Sequence, residues 1–183
     1  SVVLLLPLDG VDAATTTTDE SNSSHALTFN ANAQLDTAQT KFGPTALLLD
    51  GTGDYLSLAD HADLELGAGE WTIECHVRFN GDPGTGLMSF VAKWCDPRNK
   101  SWYLGLRNNG LVSFSSSGTN GLPILAMTWN PAGVTWYHVA FCLDNSGADA
   151  IRVFVDGTQV GADDTSVSSS PTFFDGNAET WIG

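Results

Sequence analysis

The clearest pattern in the chain is WTIECHVRF, residues 71–79, where Trp71, Ile73, Cys75, Val77 and Phe79 alternate with Thr72, Glu74, His76 and Arg78. Successive side chains of a strand point to opposite faces, so this predicts a strand with one apolar and one polar face. TWYHVAFCLD, residues 135–144, is mostly apolar and predicts a buried central strand. AIRVFVDGTQVG, residues 150–161, predicts a hairpin turning at Asp156-Gly157, and SWYLGLRNNGLVSFSSS another turning at residues 108–110. Shorter runs predict strands at residues 2–6, around 25–35, at LMSFVAKW and at ETWIG, with residues 9–24 a long polar loop. Helical period appears nowhere over more than a turn.

ALLLDGTGDYLSLAD, residues 46–60, poses a sharper question. Two short apolar runs flank Asp50-Gly51-Thr52-Gly53-Asp54. Gly reaches positive φ and Asp bonds nearby amides, so the segment reads as strand, tight turn, strand, entered by KFGPTALLLDG as a hairpin. The two carboxylates could also hold a cation. The whole pattern, a dozen or more short strands about 8–15 residues apart, is that of a β-sandwich or jelly roll.

Composition agrees. The 183 residues are 42% apolar and only 15% charged, with 9 Phe, 6 Trp, 3 Tyr, 19 Gly and 7 Pro. Such a chain forms a core without staples and is strand-friendly. It carries 21 acidic and 7 basic residues, a formal charge of -14. That surface repels phosphate backbones and excludes nucleic acid as a partner; it suits solubility in salty surroundings, and also Ca²⁺. Cys75, Cys95 and Cys142 form no metal or redox motif, and Cys75 and Cys142 are expected to be reduced and buried. SVVLLLPL is too short to span a bilayer and lacks a basic leader, so no membrane insertion is expected. The first residue is not Met, so the chain reads as processed or as an excerpt.

The series FGPTALLLDGTGDYLSL, GEWTIECHVRF, WYHVAFCLD and IRVFVDGTQVG resembles the laminin-G-like domains of the concanavalin A-like lectin/glucanase fold. The resemblance implies one jelly-roll domain of two antiparallel sheets over residues 1–183, and binding rather than catalysis. SVVLLLPLDG and DGTGDYL further resemble modules of phage structural proteins. That implies a place on the virion surface, as a tail, capsid-decoration or adhesion module, with other virion proteins, copies of itself or host-surface glycans as partners. The alternative is a carbohydrate-binding module of a secreted, extracellular bacterial protein. The family's closing strand is missing after Gly183, so residues 2–6 are expected to keep an open edge or to be paired by another segment.

Three sites are candidates. A retaining glucanase needs two carboxyl groups about 5–5.5 Å apart. Glu74 stands alone on its strand and Asp63 and Glu65 lie in a turn-rich loop, so no catalytic pair is expected and the chain reads as no enzyme. For Ca²⁺, which takes six to eight oxygens, the resemblance points to Asp9, and the tight turn to Asp50; in the turn Asp50 also has the ordinary role of the residue before a Gly. For ligand binding, KWCDPRNKSWYLGLR, residues 93–107, holds four of the seven basic residues and two of the six Trp. Trp94, Arg98, Asn99, Lys100 and Trp102 make a contact patch if exposed. The competing reading packs Trp94 and Trp102 inward. Of the four His, none shares ligand spacing with another on one face; His138, Trp71, Trp136 and Phe154 are expected in the core.

Overall fold

The computed structural model describes residues 1–66, 69–81, 86–95, 99–107, 110–117, 120–144, 150–163 and 176–183. Of these, 94–95, 99–100, 111–117 and 120–126 are described by their backbone alone. The described chain is all-β, antiparallel throughout, with a single 3₁₀ turn at Ala62–Leu64. It divides into two compact units: residues 1–64 with 177–183, and residues 65–176.

The second unit is a sandwich. One sheet runs in the order β12 (Thr158–Gln159), β11 (Ala150–Val155), β10 (Trp136–Asp144), β5 (Trp71–Arg78). The other pairs β6 (Leu87–Cys95), β7 (Asn99–Arg107), β8 (Gly110–Ser117) and β9 (Asn120–Thr128) in sequence order. Trp102, Leu104 and Leu106 of β7 share the core with Val139, Phe141 and Leu143 of β10 and with Ile151 and Val153 of β11. Every second residue points in, as strand geometry requires. Each such side chain contributes about 1.5–3 kcal/mol on burial. The expected hairpin turn at Asp156-Gly157 is there: φ is 48° at Asp156 and 77° at Gly157, the left-handed pair that a two-residue turn needs to match strand twist. β7 and β8 also pair as expected, Arg107 opposite Gly110; the turn between them, 108–109, lies outside the described residues.

One strand has no counterpart in the sequence reading. NGLPILAMT, β9, contains Pro123, which argues against a ladder position. It sits at the sheet's end, and Pro123 falls where the β8–β9 register slips, between the Phe114–Ile124 and Ser116–Gly121 pairs. Both placements spare the missing N–H.

The first unit holds β1 (Leu27–Asn30), β4 (Tyr55–Leu58) and β13 (Thr180–Ile182), with β4 in the middle, and a separate pair, β2 (Gln34–Asp36) with β3 (Ala46–Leu48). Residues 46–60 are therefore strand, turn, strand, but not a hairpin. β3 pairs with β2, whereas β4 pairs with β1 and β13. Residues 2–6 are not a strand either. They are held by individual bonds: Leu5 N–H donates to Asp19 Oδ1 at 2.9 Å, Glu20 N–H to Leu5 O at 2.9 Å, and Ser21 Oγ to Val3 O at 3.1 Å. Asp19 is 2% exposed, and it also accepts the Ser21 and His25 amides. Burial pushes its carboxyl up, but the amide bonds from Leu5, Ser21 and His25 outweigh that and hold it below the ordinary carboxylate range.

Candidate functional site

The turn at 50–54 answers its own question. Asp54, 7% exposed, accepts the Asp50 amide at 2.7 Å and the Asn32 amide at 2.8 Å. Asp50 accepts the Thr52 amide at 2.8 Å and Asn32 Nδ2 at 3.0 Å. Hydrogen bonds from the Asn32 side chain and then the Thr52 amide hold the Asp50 carboxyl below its usual range. Gly51 and Gly53, at φ 90° and 77°, let the chain close around these bonds. Asp9 is exposed and stands against Gly43; a Cβ there would lie 2.1 Å from Asp9 Oδ1. It lines an open groove with Glu20 and Thr16–18. Among the described residues, neither Asp9 nor Asp50 joins a set of three side-chain ligands close enough to share an ion.

The basic segment is redistributed. Trp102 is 3% exposed and packed in the core, which removes its ring from the contact patch. Strand alternation is the reason: it shares the inner face of β7 with Leu104 and Leu106. Lys93 is fully buried, its Nζ 2.7 Å from Glu65 Oε1. Trp94 pairs with Lys100 and Cys95 with Asn99 across β6–β7, so Trp94, Asn99 and Lys100 stand together at one end of that ladder. Arg98 lies outside the described residues.

The structure assembles a different surface, the outer face of the β12-β11-β10-β5 sheet. Val139, Phe141, Leu143, Ile151 and Val153 point into the core, so the intervening residues point out. His138 lies opposite His76, and Ala140 lies between Glu74 and Phe154. His138 is therefore not a core residue; its Nε2 is 3.2 Å from Glu74 Oε2 and its ring stacks on His76, centroids 4.9 Å apart and 33° from parallel. Its amide donates to Asp156 Oδ1 at 2.9 Å, which ties the face to the hairpin turn. Trp136 and Phe154 are likewise half-exposed rather than core, and Trp136 lies opposite Arg78. Trp71 does pack on the core. Cys75 and Cys142 are free thiols, as expected, but not fully buried: Cys142 is half-buried on the outer face and Cys75 is exposed on the edge strand. The signal for this face was the polar half of the Trp71–Arg78 alternation; what the sequence could not supply was its partner, the outer half of β10.

Two carboxylates converge on this face, but on a guanidinium. Arg152 Nη2 is 3.0 Å from Asp163 Oδ2, Arg152 Nη1 bonds Asp144, and Gln159 Nε2 donates to Asp163 at 2.7 Å. The Arg152 bond, then that of Gln159, holds Asp163 below its ordinary range, and the two carboxylates raise Arg152 above its own. Acid–base cleavage of a glycoside needs one carboxyl kept protonated near neutral pH, and a bonded guanidinium does the reverse.

An antiparallel sandwich with a solvent-facing sheet of aromatic, imidazole and ionic groups defines a lectin-like β-sandwich. The family model of the concanavalin A-like lectin/glucanases superfamily, a laminin-G model, matches residues 50–183, and the chain belongs to that family. Among solved structures it is similar to the binding domain of Paraclostridial Mosquitocidal Protein 1, with a TM-score of 0.72 at 11% identity over 98% of this chain and 43% of that one. It is also similar to the binding domain of botulinum neurotoxin serotype G, with a TM-score of 0.69 at 9% identity over 100% of this chain and 46% of that one. A third is botulinum neurotoxin type C, whose cell entry depends on interaction with two ganglioside molecules: TM-score 0.62, 12% identity, 98% of this chain and 46% of that one. At these identities the likeness is one of fold. The chain spans less than half the length of each of these proteins. No curated protein sequence matches it.

Proposed function

We propose that the chain is a non-enzymatic recognition module that binds a glycan on the outer face of its four-stranded sheet. One observation carries this: the stacked His76–His138 pair, with Glu74 bonded to His138 and the half-exposed rings of Trp136 and Phe154 on the same face. Sugars present an apolar ring face to aromatic side chains and hydroxyls to imidazole, carboxylate and guanidinium groups. The pairing of Asp144 and Asp163 with Arg152, which opposes a protonated acid, supports binding without cleavage. A charge of -14 favours neutral sugars over sialylated ones, because like charges repel at encounter.

The setting we favour is a virion surface, as an adhesion or decoration module among other virion proteins or copies of itself. It is supported by the resemblance of SVVLLLPLDG and DGTGDYL to phage modules. A secreted bacterial carbohydrate-binding module is the second reading, supported by the fold shared with the toxin binding domains above. A glycan array probed with the 183-residue chain tests the common core of both. Neutral glycans are expected to bind, and Trp136→Ala and His138→Ala to abolish the signal while the circular dichroism spectrum stays unchanged. An array without a binder, or binding untouched by both variants, overturns the reading.

A further inference from the structure

A second cluster lies in the first unit, away from that face. His25 precedes β1 and His61 and Asp63 follow β4. Leu27 pairs with Leu58, so these three residues continue the same end of the β1–β4 ladder. Their ligand atoms all fall within 4.8 Å of one another. His25 Nε2 is 3.8 Å from Asp63 Oδ2, and His61 Nδ1 is 3.6 Å from Asp63 Oδ1. The two imidazoles meet edge to face, centroids 4.9 Å apart.

The His25 ring is the second observation. Its side chain is 9% exposed, and its Nε2 is buried with no hydrogen-bond partner. A buried ring nitrogen aimed at a carboxylate it does not bond is costly unless something lies between them. Ser23 Oγ donates to Asp63 Oδ2 at 2.6 Å, which orients the carboxylate as outer-shell partners orient metal ligands. His25 itself is pinned by its amide bond to Asp19 Oδ2 at 2.9 Å.

We propose that His25, His61 and Asp63 bind a divalent transition-metal ion of the Zn²⁺ class and so clamp the start of β1 to the end of β4. Donors about 2.0–2.1 Å from a tetrahedral ion stand about 3.4 Å apart. The 3.6 and 3.8 Å separations lie close to that; His61 Nδ1 accepts the Asp63 amide at 3.2 Å, a bond that metal binding at that atom would replace, and its side chain, 54% exposed, has room to adjust. Two imidazoles and one carboxylate suit Zn²⁺, Co²⁺ or Ni²⁺ rather than Ca²⁺, which wants oxygens. Three protein ligands would leave a fourth tetrahedral position for water or an external donor, and His61 and Asp63 are the exposed members of the set.

The test uses the whole chain, stripped with EDTA and dialysed, titrated with ZnCl₂ by calorimetry and with CoCl₂ by absorption. One ion per chain is expected, with tetrahedral Co²⁺ bands and proton release on binding, since metal ligands must be deprotonated. His61→Ala, on an exposed ring, keeps the metal-free melting temperature and loses the binding. Ser23→Ala weakens it by about 10–100-fold. A wild-type chain that binds neither ion, a His61→Ala chain that binds Zn²⁺ as tightly as wild type, or Ca²⁺ competing equally with Zn²⁺ overturns the proposal. The glycan array is read on metal-free protein, so the two proposals stand or fall separately.

Discussion

Lys93 and Glu65 make the strongest energetic claim of the structure. The Lys93 side chain is fully buried, that of Glu65 is 18% exposed, and Nζ and Oε1 are 2.7 Å apart. At that distance the Coulomb attraction is about 6 kcal/mol with an effective dielectric constant of about 20. Desolvating the two ions costs several kcal/mol each, so the intact pair is close to neutral against an apolar replacement. Breaking it is a different matter. Glu65→Gln keeps the shape but takes a counter-charge 2.7 Å away from a buried ammonium, which costs about 3–5 kcal/mol. For a chain of this size 1 kcal/mol is about 2–4 °C, so the melting temperature should fall by about 6–20 °C. Lys93→Met with Glu65→Gln should recover most of that loss, because it removes the buried charge together with its counter-charge. Calorimetry on the two single variants, the double variant and wild type closes the cycle. A Glu65→Gln drop under about 2 °C, or a double variant no better than the single, would show that the ammonium is solvated and the reasoning false. Either way glycan binding should persist in the folded double variant, since neither residue belongs to the outer sheet face.

Three further outcomes are expected. Asp19→Asn should destabilise by about 1–3 kcal/mol at pH 7, since it unseats amides at both ends of the 5–25 segment; because the Asp19 carboxyl is lowered on folding, its contribution is present above the unfolded value of about 3.9 and is lost as pH falls through the folded one, so the acid limb of stability should be shallower in the variant, and parallel limbs count against the assignment. Gly105→Ala should cost about 1–3 kcal/mol by urea unfolding, because a Cβ would lie 2.2 Å from the Met88 carbonyl oxygen, backbone that cannot step aside; an unchanged midpoint refutes it. Ca²⁺ added to stripped protein should move the melting temperature by under about 1 °C, since the Asp50 oxygens already accept N–H bonds; by ligand linkage, a rise of several degrees, lost in Asp9→Asn and Asp50→Asn, would identify those two as ligands.

What could be read from the chain divides by the range of the interaction. The Trp71–Arg78 alternation, the apolar run of β10 and the Asp156-Gly157 turn are local signals, and each has its place in the second unit as read. Pairing is not local. The 50–54 turn gives a reversal but not the identity of the strands it serves, and β3 and β4 join different sheets. Inner and outer face are also decided by a partner: His138 and Phe154 sit among apolar neighbours in sequence, yet period 2 and the core on the other side turn them outward. The contact patch failed at Trp102 for the same reason, since nothing in SWYLGL says which alternate set faces the core. His25 and His61 show the limit most plainly. With 35 residues between them they share no spacing, and only the Leu27–Leu58 register puts their rings side by side. A ligand set built across a ladder end leaves no motif in the sequence, because the spacing that matters is measured between strands. The same holds for the His76–His138 stack on the outer sheet face, whose members are matched by the β5–β10 register and by nothing along the chain.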